Sequence, residues 1–299
     1  MGEVILFSVI IPTLNNLDYL KLCIKSLKKN SSFNHEIIVH VNIGEDGTIE
    51  YLKDSNIKFT YTSYNAGIPE GVNKAAGIAK TEFIVYAHDD FYFLPGWDKA
   101  FLKEINLMPD NLYYFSGTMV QNGQVNLDCG NNLDNFNENK LLNEFKNINY
   151  YDFQGSTWAP HIIHKEVWDR VGGFSEEFFP GTGSDPDLNM KLWSIGVRTF
   201  KGLKNCMVYH FGSVVTRKYK NKKTKTESGS KGDKIFLKKW GFKIKFFTKY
   251  YLRGCYSKDG KIHCKKFDGP LNDPDKNLIF YVDLFLNKLA FIFYSYLKK

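Results

Sequence analysis

The sequence predicts an α/β fold: a Rossmann-like, mostly parallel sheet flanked by helices, followed by a basic helical C-terminal extension. Three observations lead there. Apolar, β-branched runs alternate with amphipathic stretches through the first third of the chain, the pattern of βαβ units. The run Phe83-Ile84-Val85-Tyr86-Ala87 ends abruptly in His88-Asp89-Asp90. A strand does not end in adjacent carboxylates for packing, because a bare charge is costly to desolvate; at the carboxyl end of a strand in an open α/β sheet, such a cluster sits where ligands bind. After residue 234, lysines and aromatics interleave in an extension of different character.

Val4 to Ile11 is a continuous apolar run closed by Pro12, as a strand covered on both faces requires. Asn16 to Lys29 is a helix, with Leu17, Leu20, Ile24 and Leu27 on one face and lysines on the other. Glu36–Val41 and Ile57–Thr62 are strands around a short helix at Thr48–Lys53. Asn65–Gly71 is a glycine-bearing loop, Val72–Ala79 a helix and Glu82–Ala87 the fourth strand. Asn122–Asn149 is rich in asparagine and reads as loops, with a helix near Asn139–Phe145. Trp158–Val171 holds a short strand and a helix, Ser184–Ile195 is a helix, and Met207–His210 ends another strand.

With 299 residues, 43% hydrophobic and 24% charged, the chain has ordinary globular composition and room for one large domain with an appendage. Its formal charge of +8 is concentrated after Arg217. Charge of that kind allows nucleic-acid binding, but no base-reading motif accompanies it, so no nucleic-acid partner is expected. The five cysteines, Cys23, Cys129, Cys206, Cys255 and Cys264, have no short paired spacing. They are read as free thiols of a reducing compartment. The first residues, without a basic segment before a short apolar run, read as strand one of a cytoplasmic domain.

Six motifs in order resemble the family 2 glycosyltransferases, inverting enzymes of the GT-A fold, and within them the rhamnosyltransferase-like members. Val9-Ile10-Ile11-Pro12-Thr13-Leu14-Asn15 resembles the opening strand and turn that cups the nucleotide. Asn65-Ala66-Gly67-Ile68-Pro69-Glu70-Gly71-Val72-Asn73 matches an N-x-G-x-x-x-G-x-N loop. His88-Asp89-Asp90, followed by Leu94-Pro95-Gly96-Trp97, stands at the D-x-D position. Gly172-Gly173-Phe174-Ser175-Glu176 and Gly183-Ser184-Asp185-Pro186-Asp187-Leu188 resemble G-G-F-D-E and G-E-D-x-D-L. Val208-Tyr209-His210 resembles the histidine that often completes the metal site. The chain departs from the pattern at His88 and Ser184, where acids are usual, and at Asn42, where an aspartate usually reads the base.

The resemblance implies a nucleotide-sugar donor, a glycan or lipid-linked saccharide acceptor, and a role in polysaccharide assembly. It places Pro12, Thr13, Asn15, Asn42, Asn65, Gly67, Asn73 and Asp89 about the nucleotide, and Mn²⁺ or Mg²⁺ on Asp90, His210 and His88. His88 is either that ligand or a histidine satisfied by backbone. Asp185 is the general base, with a helix N-cap as the alternative reading, for which Ser184 is better suited. Trp158 either stacks on an acceptor sugar or packs in the core; Asp187 either binds acceptor or favours the helix dipole. Trp97 is assigned to packing. A sugar nucleotidyltransferase is the competing enzyme class, but it wants a glycine-rich, arginine-bearing loop after strand one, where Pro12-Thr13-Leu14-Asn15-Asn16 stands.

These readings divide the chain into a catalytic domain over 1–215, a basic, solvated segment over 216–233 and an extension over 234–299. In the extension, Leu278–Leu297 is strongly apolar but carries Asp283, Asn287, Lys288 and Ser295 along a stripe, which argues against a spanning helix. It packs on the domain or lies peripherally on the inner face of a membrane.

Overall fold

The computed structural model describes residues 5–212, 224–258 and 261–293. Strands β1 (Ile5–Leu14), β2 (Asn34–Asn42), β3 (Lys58–Thr62) and β4 (Phe83–Tyr86) are mutually parallel, joined through helices α1 (Leu17–Asn30), α2 (Thr48–Asp54) and α3 (Gly67–Ala76). Then come β5 (Phe91–Phe93), α4 (Trp97–Ile105), β6 (Tyr113–Val120), α5 (Glu138–Glu144), β7 (Phe153–Gln154), β8 (His161–His164), α6 (Lys165–Val171), α7 (Ser184–Ser194) and β9 (Thr199–His210). The extension comprises α8 (Thr224–Trp240), α9 (Ile244–Phe247), a π-helical turn at Thr248–Leu252, the hairpin β10 (Tyr256–Lys258) and β11 (Lys261–His263), and α10 (Leu278–Ile292). One sheet runs β3-β2-β1-β4-β8-β6-β9-β5, with β7 paired to β9. Beyond β4 it becomes mixed: β8 is antiparallel to β4 and β6, while β9 is parallel to β6 and antiparallel to β5 and β7.

The first strand runs two residues past the expected stop at Pro12, to Leu14. Ile10 turns its carbonyl toward β4, where Ala87 N–H bonds it, and pairing with β4 ends there. Pro12, two residues on, faces the same unpaired side, so its missing N–H leaves no gap in the ladder. Helix α3 begins at Gly67, inside the stretch expected to be loop. Pro69 lies in its first turn, where no donor is needed, and Asn65 Oδ1 accepts from Gly67 N–H at 2.9 Å. Strand β6 was not foreseen. It is buried along all eight residues, so it has no alternating pattern, and Ser116-Gly117 interrupts its apolar run.

Two expectations about the C-terminal part are corrected. Cys255 and Cys264 form a disulfide, because the β10–β11 hairpin between them brings their Cα atoms to 4.1 Å; the nine-residue spacing is a hairpin spacing. Cys23, Cys129 and Cys206 are free and buried. Helix α8 covers part of the segment read as solvated, while Arg217 to Lys223 lies outside the described residues, as do Ser295 and Leu297. No helix among the described residues is long and apolar enough to cross a membrane.

The core is aromatic. Trp97 is fully buried among Phe7, His35, Phe93 and Phe101, the packing role expected of it. Beside it Asp98, also fully buried, accepts from Ser32 N–H (2.5 Å), Phe33 N–H (3.0 Å) and Lys99 N–H (2.8 Å) and lies 3.2 Å from His35 Nε2. Burial alone would raise its pKa; these partners outweigh that and hold it below the usual value. Asp98→Ala strands several buried donors and should cost about 3 kcal/mol in urea unfolding at neutral pH. Since the folded pKa is depressed, that contribution is present above the unfolded value of about 3.9 and fades as pH falls through the folded one.

Candidate active site

The carboxyl ends of β1, β2 and β4 share one edge of the sheet, and the chain leaves β4 through Ala87-His88-Asp89-Asp90 directly into β5. Antiparallel pairing of β5 with the end of β9 sets Phe91 opposite His210 and so brings that imidazole beside Asp90. Asp90 Oδ2 lies 3.6 Å from His210 Nε2, beyond a hydrogen bond but within reach of a shared cation. Ligand-capable atoms of His88, Asp90 and His210 lie within 4.8 Å of one another, the one such three-residue group among the described residues. Burial lowers the His88 pKa to about 4, keeping the imidazole in its neutral, ligating form. Nδ1 of His210 lies 3.4 Å from the Asn122 carbonyl, and Asn122 Nδ2 donates to the His210 carbonyl at 2.9 Å. A proton on Nδ1 facing that carbonyl puts the lone pair on Nε2, the nitrogen on the Asp90 side. Two imidazoles and one carboxylate can hold a divalent cation, and a donor set with two nitrogens suits Mg²⁺, which prefers oxygen, less well than a transition ion.

Asp89 points elsewhere: its Oδ2 accepts from Thr13 Oγ1 at 2.7 Å, tying the end of β1 to the loop after β4. Asn15, at φ 45°, turns the chain into α1 and accepts from Glu45 N–H at 2.9 Å. Asp46, from the displaced D-G-T, bonds Leu17 N–H at 2.8 Å and Thr48 Oγ1 at 2.6 Å, so it starts two helices at once.

Asp185 stands in the first turn of α7, after Gly183 in the left-handed region. It is partly exposed, but its carboxyl is desolvated, which pushes its pKa up to about 7, and Oδ1 has no hydrogen-bond partner among the described residues. The Tyr86 hydroxyl, itself held protonated chiefly by burial, feels the charges of Asp185, Asp89 and Asp90. Tyr114 feels Asp185 as well, and its hydroxyl is 2.9 Å from His161 Nδ1. Tyr86, Tyr114, His161 and Asn122 act on or adjoin these candidate residues, and the sequence did not disclose them. Tyr86 could have been suspected from its place two residues before His88; the others come from an unforeseen strand, from β8 and from a loop.

Several expected site residues are spent inside the protein. Asn42, almost fully buried, donates to the Thr13 carbonyl (3.1 Å) and accepts from Ala66 N–H (2.8 Å), so it ties the ends of β1 and β2 to the start of α3. Gly67 (φ 73°) is covered by Phe179 and Pro180: an added Cβ would lie 2.8 Å from the Phe179 ring. Asn73 grips Phe174 on both sides, accepting from its N–H at 2.9 Å and donating to its carbonyl at 2.8 Å. The N-x-G-x-x-x-G-x-N motif therefore clamps α3 to the loops at 173–180, and only Asn65 of the three is exposed. Asp187 is likewise corrected as an acceptor-binding residue. It is 0% exposed and accepts from Ser175 Oγ (2.6 Å), Trp240 Nε1 (2.8 Å) and Lys239 Nζ (3.0 Å), fastening α8 onto the start of α7. Trp158 packs at the core edge, with its indole N–H unpartnered among the described residues.

A mixed sheet of this order, with acids at the carboxyl edge of its parallel half, is the GT-A architecture. The chain belongs to glycosyl transferase family 2, whose model matches residues 8–159. S. aureus TarS 1-349 superposes with a TM-score of 0.53 at 16% identity, covering 78% of this chain and 72% of that one. Its complex with UDP-GlcNAc gives 0.52 at 16% identity over 82% and 75%. An uncharacterised Sinorhizobium fredii protein, y4gI, is 25% identical over 219 residues, 64% of this chain and 23% of that protein. The chain thus spans about a quarter of that relative's length.

Asn73→Ala removes both bonds to Phe174 and should lower stability by about 1–3 kcal/mol in thermal or urea unfolding. Mn²⁺ affinity measured by calorimetry should stay unchanged, since Asn73 touches no ligand atom of the His88–Asp90–His210 group.

Proposed function

We propose that the protein is a metal-dependent, inverting glycosyltransferase that moves a sugar from a nucleotide-sugar to a hydroxyl of a glycan or glycoconjugate. The observation that carries this reading is the convergence of His88, Asp90 and His210, together with a desolvated Asp185 carboxyl whose charge acts on the same tyrosine, Tyr86, as that of Asp90. The likeness to TarS, whose crystal structures include UDP and UDP-GlcNAc complexes, supports a nucleotide-sugar donor. In this reading His88, Asp90 and His210 hold Mn²⁺ or Mg²⁺. When bound, the ion neutralises charge on the departing diphosphate. Pro12, Thr13 and Asn15 form the wall along which the nucleotide lies, and Asp89 holds Thr13 in place there. Trp158 offers a ring to the acceptor sugar.

Asp185 removes the acceptor proton. A carboxylate with a pKa near 7 is a far better base than an ordinary aspartate and is still half ionised at neutral pH. Its Oδ1, unspent on the protein, is the atom that accepts the proton. We assign 1–215 to the catalytic domain, 216–233 to a connecting basic segment and 234–299 to an extension clasped on α7 through Asp187.

Asp185→Asn should lower kcat by about 10²–10⁴-fold while calorimetry shows donor binding intact. A variant with wild-type kcat would remove the base. For the wild-type protein, kcat should fall about tenfold per pH unit below pH 7 and level off above it, since only the ionised carboxylate accepts a proton. Asp90→Ala should abolish the Mn²⁺-dependent part of nucleotide binding; titrations with and without Mn²⁺ that still differ as in the wild type would refute the ligand assignment.

A further inference from the structure

Helix α10 has its polarity reversed. Phe280, Asp283, Leu284 and Asn287 lie on the face turned to the protein, at i, i+3, i+4 and i+7. Asp283 Oδ2 accepts from Lys249 Nζ (2.8 Å) and Tyr250 OH (2.6 Å), Asn287 Oδ1 accepts from Lys243 N–H (2.8 Å), and Phe280 packs on Phe246 and Tyr250. The polar residues of the helix are thereby used up inward. Outward stand Leu278, Ile279, Tyr281, Val282, Phe285, Leu286, Leu289, Ile292 and Phe293, each at least 47% exposed, with Lys288 as the one charge among them. Half of the large exposed apolar side chains of the described residues sit on this one surface, whereas singly scattered ones would need no explanation.

What covers that face is decided by the charge beside it. Lys243, Lys245, Lys249, Lys276 and Lys288 are exposed on α10 or on the segment packed along it. Of the nearby carboxylates, Asp283 is paired with Lys249 and Asp273 with Arg198. From residue 234 onward the sequence has 15 Lys and Arg against 5 Asp and no Glu. A second copy of the chain docking face to face would bring one lysine border against another. An anionic lipid surface accepts both the apolar face and the border. Over its 15 described residues the helix is about 22 Å long, shorter than a hydrocarbon core of about 30 Å, and its inward polar stripe is already bonded to the protein.

We infer that the outward face of α10, with its flanking lysines, lies in the plane of an anionic bilayer and holds the enzyme there. This goes beyond the proposed transfer reaction and does not rest on it. The test is flotation of the full chain with phosphatidylcholine vesicles and with vesicles of equal parts phosphatidylcholine and phosphatidylglycerol. The anionic vesicles should retain the protein at least about tenfold better, with the difference shrinking at high salt. Phe285→Asp with Leu286→Asp should lower retention by about tenfold or more at an unchanged melting temperature, because both side chains face outward. Lys245→Glu, which leaves the apolar face intact, should lower it about fivefold or more on anionic vesicles only. Equal recovery with and without anionic lipid, or double-variant binding like the wild type, would overturn the inference. So would a dimer in vesicle-free buffer that the double variant dissociates and that never floats, because the second copy would then be the occupant.

Discussion

Three residues of β5 paired antiparallel to the end of β9 are the constraint on which the site depends. Strand β9 runs parallel to β6 from Thr199 to Tyr209, and its last three residues, Val208, Tyr209 and His210, pair on their other side with Phe91–Phe93. Without this pairing, Asp90 and His210 belong to different parts of the molecule. With it, a carboxylate and an imidazole face each other across one rung, and Phe211 N–H bonds the Asp90 carbonyl at 3.2 Å to hold the rung shut. Buried charge is tolerated only where it is paired or coordinated, so the rung both creates the electrostatic cost of Asp90 and supplies the partner that offsets it.

The same economy of polar groups separates residues that build the cleft from those left to act in it. Asn42, Asn73, Asp46, Asp98 and Asp187 are buried or near-buried and have their lone pairs spent on backbone N–H groups, hydroxyls or cations of the protein. Asp185 is the contrast: it is desolvated enough for its pKa to climb to about 7, yet one carboxyl oxygen is unspent among the described residues. Two aspartates two positions apart on the first turn of α7 thus have opposite fates. Asp187 faces inward to Trp240 and Lys239 and locks the helix, which fixes where Asp185 stands.

That lock also joins the extension to the body that carries the candidate site. Helix α8 reaches α7 through Asp187, the aromatic cluster of Phe236, Phe242, Phe246, Phe247 and Tyr251 fills the space behind it, and α10 closes over Phe246 with Phe280. An apolar helix resting on this cluster by its polar side presents its apolar side outward, at a fixed orientation relative to the active-site edge of the sheet.

Periodicity alone determined the parallel half of the fold, since buried β-branched runs such as Val9-Ile10-Ile11 and amphipathic stretches such as Leu17–Asn30 carry their own spacing. The ordered motifs singled out Asp90, His210 and Asp185, of which the fold brings Asp90 and His210 together. Strand β6 escaped because a strand covered on both faces has no alternation to read, and the disulfide because a hairpin, not a short motif, brings Cys255 to Cys264. Which asparagines and aspartates are structural could not be read locally: Asn73 meets Phe174, and Asp187 meets Trp240, only after the chain has folded across the molecule. A side chain's type sets which bonds it can make, but its role depends on whether the fold supplies partners for them all, and that only the tertiary structure decided.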